Sequence, residues 1–487
     1  MQRPNLSKYI PPIVLVFSLA AIYLTSMASG LTWANHGADG GDLITAAATG
    51  GVAHPTGYPV YLFLARLFQL IPIGSLAFRA NLMSAFAAVC AALLVYALTV
   101  RSLEPINERP NWLAGLASAY AFGLSPMLWS QAVIAEVYAL HALFVASLLF
   151  LSADYAHPYF SRKNQDSLLG LTFGLAMGNH VTTILLLPIL LPSTLLRESW
   201  SRSLLRRLAW LAVGLLAYLT LPLRALSQPP VNWGNPVTLN NFGWLVSGKL
   251  YQDQLFALPP SSVWERVQAS ASLLLEQFGF IGLVIGLVGL VVFYKPSRLY
   301  RHTIWTVVSF SAFAVKYAAD DSFLHLIPAF LCFAIWIGIG ISGLMNAVSQ
   351  RFPKIGFAVG LLFSLSIFIQ AGNHWTQADA SRDLRAERFG KEVFAQAPAR
   401  ALVFTKGDQA TFALWYFHYA LRQRPDLVVI APDLLTHPWY QDALRKNYPD
   451  LILPDFFPFP AAVIASNPDR GVCYVQYNQS AQIKCQK

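Results

Sequence analysis

Asn35-His36-Gly37-Ala38-Asp39-Gly40-Gly41-Asp42, running on to Gly50-Gly51-Val52-Ala53-His54-Pro55-Thr56-Gly57-Tyr58-Pro59, sets two carboxylates and two histidines in a glycine-rich segment between apolar runs. The chain around it is poor in charge: of 487 residues, 55% are hydrophobic and 12% charged, where soluble domains carry about a quarter charged residues. Mean hydropathy is +0.48. Such a chain is an integral membrane protein, and Asp39, Asp42 and His54 are costly enough there to call for a reason beyond packing.

Crossing about 30 Å of hydrocarbon takes roughly 20 mostly apolar residues. About eleven such runs precede residue 372, the first from Ile10 to Thr32. A cleaved leader ending near Ala28-Ser29-Gly30 is the competing reading of that first run. Tyr58–Ile73, broken by prolines and carrying Arg66, reads as a membrane-surface helix. Trp112–Trp129 and Val133–Ser152 read as a hairpin. Leu168–Met177 and Val181–Leu196 meet at Gly178-Asn179-His180, which predicts helices ending inside the membrane, where irregular backbone must line a cavity or be buried in protein. Ser227–Ser272 is expected to be a long polar loop.

The net charge of +10 is read by location. Fifteen basic residues, among them Arg3, Lys8, Arg109, Arg162, Arg197, Arg207, Lys295 and Arg351, fall on one side of this arrangement. Six (Arg66, Arg79, Arg224, Lys249, Arg266 and Lys316) fall on or near the other. The positive-inside rule then places the N-terminus in the cytoplasm and the acidic segment outside, so the basic excess reads as membrane topology and not as a nucleic-acid surface. We therefore expect residues 1–372 to form a transmembrane domain and residues 373–487 a small extracytoplasmic α/β domain. In the latter, Ala401–Phe404 and Leu427–Ile430 read as parallel strands around a helix at Gln409–Leu421, with a second helix near Trp439–Asn447. Cys90 and Cys332 read as core residues, and the sequence leaves open whether Cys473 and Cys485 form a disulfide. No P-loop, zinc-type Cys/His spacing or Gly-x-Ser-x-Gly is present.

Asp39 and Asp42 suit either helix capping or general-base work on a hydroxyl. His54 reads as a loop hydrogen-bonder or as a donor to an anion. His180, at a helix break in apolar sequence, and Glu136 with Tyr138 mark candidate site positions. Arg66, Arg224, Lys249 and Lys316 either anchor helices at the interface or bind phosphate, for which the arginine fork is well shaped. Asp320 and Asp321 pair with Lys316 or join a divalent-metal site; no metal ligand is assigned.

Several ordered motifs resemble the protein O-mannosyltransferase-like integral-membrane family of the GT-C glycosyltransferase superfamily. They are Asp39 to Pro59, Ser130-Gln131-Ala132-Val133-Ile134-Ala135-Glu136-Val137-Tyr138, Gly178-Asn179-His180, Leu221-Pro222-Leu223-Arg224-Ala225, Val231-Asn232-Trp233-Gly234-Asn235-Pro236 with Leu245–Gly248, and Gly407-Asp408-Gln409 to Tyr416. The resemblance implies a sugar moved from a polyprenyl-phosphate donor to a hydroxyl acceptor (protein Ser/Thr, glycan or lipid) on the outer face of a membrane, in this reading a bacterial plasma membrane. It implies an inverting displacement with Asp39 as base and Asp42 beside it. The donor phosphate and substrate would be met by His54, Tyr58, Glu136, Tyr138, His180, Arg224 and Lys249. Where the family's acidic pair reads Asp-Ser-Gly-Glu, this chain has Asp39-Gly40-Gly41-Asp42, so Asp39 carries the stronger assignment. The rival from another class is a polytopic transporter or lipid-linked-sugar flippase.

Overall fold

Apolar runs become helices here, but not always whole spans. The computed structural model describes residues 9–103, 111–153, 161–192, 200–255, 257–292, 297–454 and 459–486. Arg3, Lys8, Arg109, Arg197 and Lys295 of the charge count lie outside them. Five helices among the described residues are long and apolar enough to cross a membrane: Leu76–Ser102, Trp200–Ala225, Pro260–Val291, Ser322–Ser349 and Ile355–Ala378. A sixth is made only if Pro126–Ala132 and Val137–Ser152, bent 116° apart, count as one broken span. The expected eleven are thus not reached by length and composition. Ile10–Ser26 has 17 residues, about 26 Å of helix. The Val181–Leu190 segment is a 3-10 helix of 10 residues, and Arg162–Met177 opens on two cations and Asp166.

Burial sorts the spans. In the most apolar 18 residues of each span, 94% are buried in Ser322–Ser349, which sits at the centre, against 22% in Trp200–Ala225 and 28% in Ile355–Ala378. Their outward leucines, Leu205, Leu219, Leu223 and Leu362 among them, form an apolar exterior suited to lipid. Small residues let helices touch: a Cβ on Gly174 would run into the backbone of Leu211 and Gly214, and one on Gly214 into that of Leu171 and Gly174.

The stretch expected to be a long loop is shorter than predicted. Leu239–Val246 is a helix, Lys249–Gln254 a 3-10 turn, and everything from Pro260 belongs to the long span. Glu265, Arg266 and Gln268, inside the expected loop, stand on that helix. The span breaks at Gly279, whose φ of 65° and ψ of 172° suit glycine.

Beyond the last span, β1 (Leu402–Lys406), β2 (Val428–Ile430), β3 (Val472–Asn478) and β4 (Ser480–Gln486) form a sheet of order β2-β1-β3-β4. β1 is parallel to β2 and β3, and β4 is antiparallel to β3. Helix Asp408–Trp415 connects β1 to β2, and Pro438–Asn447 follows, so the βαβ reading matches in kind and position. The β3–β4 hairpin was not foreseen; it carries the Cys473–Cys485 disulfide at directly opposed positions.

This sheet region is docked on the Gly40–Thr49 helix. A Cβ on Gly41 would collide with the backbone carbonyl of Phe412. Gly41→Ala is therefore expected to destabilise the protein by about 1–3 kcal/mol through overpacking, read as a lower melting temperature in detergent. Gly243→Ala, with nothing within 4 Å of the added carbon, should not lower it.

Candidate active site

The site begins at the Gly40–Thr49 helix. Asp39 is its N-cap residue but makes no side-chain capping bond, so the carboxylate is left to face elsewhere. The helix ends at Gly50 in the left-handed region (φ 71°), and the chain turns back along the Val231–Trp233 segment. Val52 N donates to Val231 O at 2.9 Å and Trp233 N to Val52 O at 3.2 Å. That pairing delivers both His54 and the Trp233 indole to Asp42.

Asp42 is fully buried, and three N–H groups converge on it. His54 donates to Oδ2 through its backbone N at 2.9 Å and its ring Nδ1 at 2.7 Å. Trp233 Nε1 donates to Oδ1 at 3.0 Å. With Nδ1 committed, His54 Nε2 points to Asp39 Oδ2 at 3.5 Å. The Phe412 ring stacks on His54 at 6.2 Å and 12°. Motifs from three distant parts of the chain thus build one Asp42–His54–Asp39 line, in which Asp42 holds the imidazole and Asp39 stands at the open end.

Enclosure sets the charge states. The Asp39 side chain is 41% exposed, but what it faces is a cavity rather than open solvent. Loss of solvation therefore lifts its carboxyl to about 6, against the opposing pull of His54. For His54, burial alone favours the neutral ring; Asp39 and the hydrogen bond to Asp42 outweigh it and raise the imidazole to about 9. Enclosure also pushes the Asp408 carboxyl up.

The cavity measures about 640 Å³. Of the residues singled out in the sequence, Asp39, His54, Tyr58, Glu136, Tyr138 and His180 line it. Asp42 sits behind His54. The structure does not bring Arg224 and Lys249 to the lining: Arg224 Nη1 turns to Gly51 O at 3.3 Å, and Lys249 Nζ reaches Gln252 Oε1 at 3.3 Å on the exposed side. Among the described residues no lysine or arginine lines the cavity. The sequence reading passed over Tyr251 and His325, assigned Asp321 only to a surface pair or metal, and quoted His36 and Asp408 without a role; all five line the cavity. Tyr138 Oη donates to Asp321 Oδ2 at 3.0 Å, and Glu136 keeps a buried Oε1 with no hydrogen-bond partner. No group of three or more His, Cys, Asp or Glu is placed to hold a metal among the described residues.

Two solved structures share this architecture. ArnT from Cupriavidus metallidurans bound to undecaprenyl phosphate aligns with a TM-score of 0.60 at 11% identity, over 98% of this chain and 94% of that one. The oligosaccharyltransferase of Archaeoglobus fulgidus in its apo form aligns at 0.54 and 13%, over 89% and 68%. The fold is that of the GT-C membrane glycosyltransferases. Within that class, residues 39–203 match the N-terminal domain of the protein O-mannosyl-transferase TMEM260, and residues 386–451 match TMEM260-associated domain 2. Over those two stretches the chain is similar to this protein O-mannosyltransferase-like membrane family. A mouse protein O-mannosyl-transferase TMEM260 is 27% identical over 90% of this chain, and a Dictyostelium discoideum counterpart 26% over 83%. The chain spans 64% and 55% of the lengths of these two relatives.

Proposed function

We propose that the chain is a glycosyltransferase that moves a mannose-like hexose from a polyprenyl-phosphate carrier to a Ser or Thr hydroxyl, by single displacement with inversion. The observation that carries this is Asp39: an uncapped carboxylate raised to about 6, open to a large cavity and backed by His54. A base of that strength, ionised near neutrality, is matched to taking a proton from a hydroxyl. In the step, acceptor oxygen bonds to the sugar's anomeric carbon as the bond to the phosphate oxygen breaks; the hydroxyl proton passes to Asp39 and the electron pair leaves with the lipid phosphate. Among the described residues the cavity offers no lysine or arginine, so the charged His54 ring supplies the nearest fixed positive charge for the developing phosphate. Glu136, with its unpartnered oxygen, together with Tyr58, Tyr138 and His180, binds sugar hydroxyls. Arg224 and Lys249 act outside the cavity, at headgroup level. In this reading the N-terminus is cytoplasmic, and residues 373–487 lie outside, over a bacterial plasma membrane.

Support comes from the mouse and Dictyostelium relatives, which are protein O-mannosyl-transferases by name, and from ArnT, whose structure holds undecaprenyl phosphate. The test uses the purified protein in nanodiscs with polyprenyl-phosphate mannose and a Ser/Thr peptide, and the expected result is a hexose mass increment on the peptide. Movement of the lipid-linked sugar across the bilayer without transfer would favour the transporter instead. A bell-shaped pH profile is also expected. Asp39 works only when ionised, so activity falls as pH drops through about 6. His54 works only when charged, so activity falls as pH rises through about 9. A profile flat across either limb removes that residue from the mechanism.

A further inference from the structure

A second cavity of about 460 Å³ adjoins the first. His36 and Gln409 line both, which makes them the partition between the two. His36 is held at a positive φ of 64°, with its ring edge on Phe323 at 5.2 Å. Asp39 is three residues further on, on the other side of that partition.

The two chambers differ in chemistry. The first is lined by Asp39, Glu136, Asp320, Asp321 and Asp408, whereas the second has Glu276 as its lone carboxyl side chain among the described residues. In place of charge it offers four primary amides, Asn35, Gln277, Gln377 and Gln409, set among Trp33, Met127, Leu273, Phe323 and Leu324. Three of the amides are held at one end: Asn35 Nδ2 donates to Ser130 O and Ala378 O at 3.2 and 3.0 Å, Gln277 Oε1 accepts from Met127 N at 2.8 Å, and Gln377 Oε1 accepts from His374 Nδ1 at 2.7 Å, which leaves the other end of each to meet a ligand.

We infer that this second cavity is the entry groove for an extended, hydroxyl-bearing polypeptide, which reaches Asp39 past His36 and Gln409; this rests on the glycosyl-transfer reading above. A lipid tail would cover the amides without bonding them, and buried amides left unpaired are costly. A phosphate-bearing ligand would find no lysine or arginine among the described lining residues. A glycan would leave the apolar wall largely unused. An extended peptide presents alternating N–H and C=O groups that primary amides can meet as donor and acceptor, with its side chains against the apolar residues.

The test narrows the groove with Leu273→Trp, well away from Asp39 and His54 in the sequence, in the full chain in nanodiscs. KM for a synthetic Ser/Thr peptide should rise about tenfold or more with kcat little changed, while slow hydrolysis of the sugar donor in the absence of peptide stays at the unsubstituted rate. In parallel, the thiol of Gln377→Cys is labelled with a maleimide. The peptide should slow labelling and an oligosaccharide should not. An unchanged peptide KM in a folded Leu273→Trp protein, or protection by the oligosaccharide rather than the peptide, overturns the inference. If the unsubstituted protein neither transfers nor hydrolyses the donor, the glycosyl-transfer reading fails, and peptide protection of the thiol still decides the groove.

Discussion

Asp39→Asn is expected to lower sugar transfer by about 10²–10⁴-fold, the range of a lost general base, with the amount of folded protein unchanged. The substitution is nearly isosteric. Asp39 makes no capping bond, and its closest charged partner is His54 Nε2 at 3.5 Å, so little structure depends on its charge. What is lost is the ability to accept a proton. A second consequence separates this from general damage: Asp39 is the strongest of the groups holding His54 charged. Without it, the basic limb of any residual activity should move below about 9. Transfer to a Ser/Thr peptide, measured across pH beside the unsubstituted protein, checks both effects. Full activity in the variant would remove Asp39 from the chemistry.

That line of side chains also shows how far the sequence could be read. Asp39 and His54 stand out locally, as charged groups in a glycine-rich segment of an apolar chain. Their pairing with Trp233, Phe412, Asp321 and Asp408 does not, because those partners arrive from far along the chain and only packing brings them together. Asp42 shows this most clearly. Its place in the first helical turn has a ready explanation as a dipole-favoured carboxylate, and nothing local reveals that three N–H donors bury it. The same limit governs the fold. Apolar content identified a membrane protein, and the break at Gly178-Asn179-His180 lies where the sequence placed it. The number of spans was not legible, since hydropathy does not register the 116° bend between Ala132 and Val137. Parallel β1 and β2 were visible as apolar runs, whereas β4, half exposed and polar at alternate positions, resembles loop.

Asp42→Asn tests whether the buried acid acts through His54. The Asn carbonyl can still accept from the His54 backbone and ring, which share one oxygen, but the negative charge is gone and the other oxygen becomes an NH2 group that cannot accept from Trp233. Removing one partner of a buried charge pair costs about 3–5 kcal/mol, so some loss of stability is expected and cannot by itself identify the role. The pH profile can. Asp42 raises His54 both through a hydrogen bond and through its charge, so the basic limb should fall from about 9 toward the ordinary histidine range near 6.5. The acidic limb, which belongs to Asp39, should move less, and kcat should drop more than KM changes. Trp233→Phe keeps the aromatic packing against Phe412 and removes only the indole bond to Oδ1. A hydrogen bond to a charged group is worth about 1.5–3 kcal/mol, so about a tenfold loss of activity or more is expected there, with the basic limb nearly in place. If Asp42→Asn instead lowered activity uniformly at every pH, the acid would be holding the loop and not tuning the imidazole.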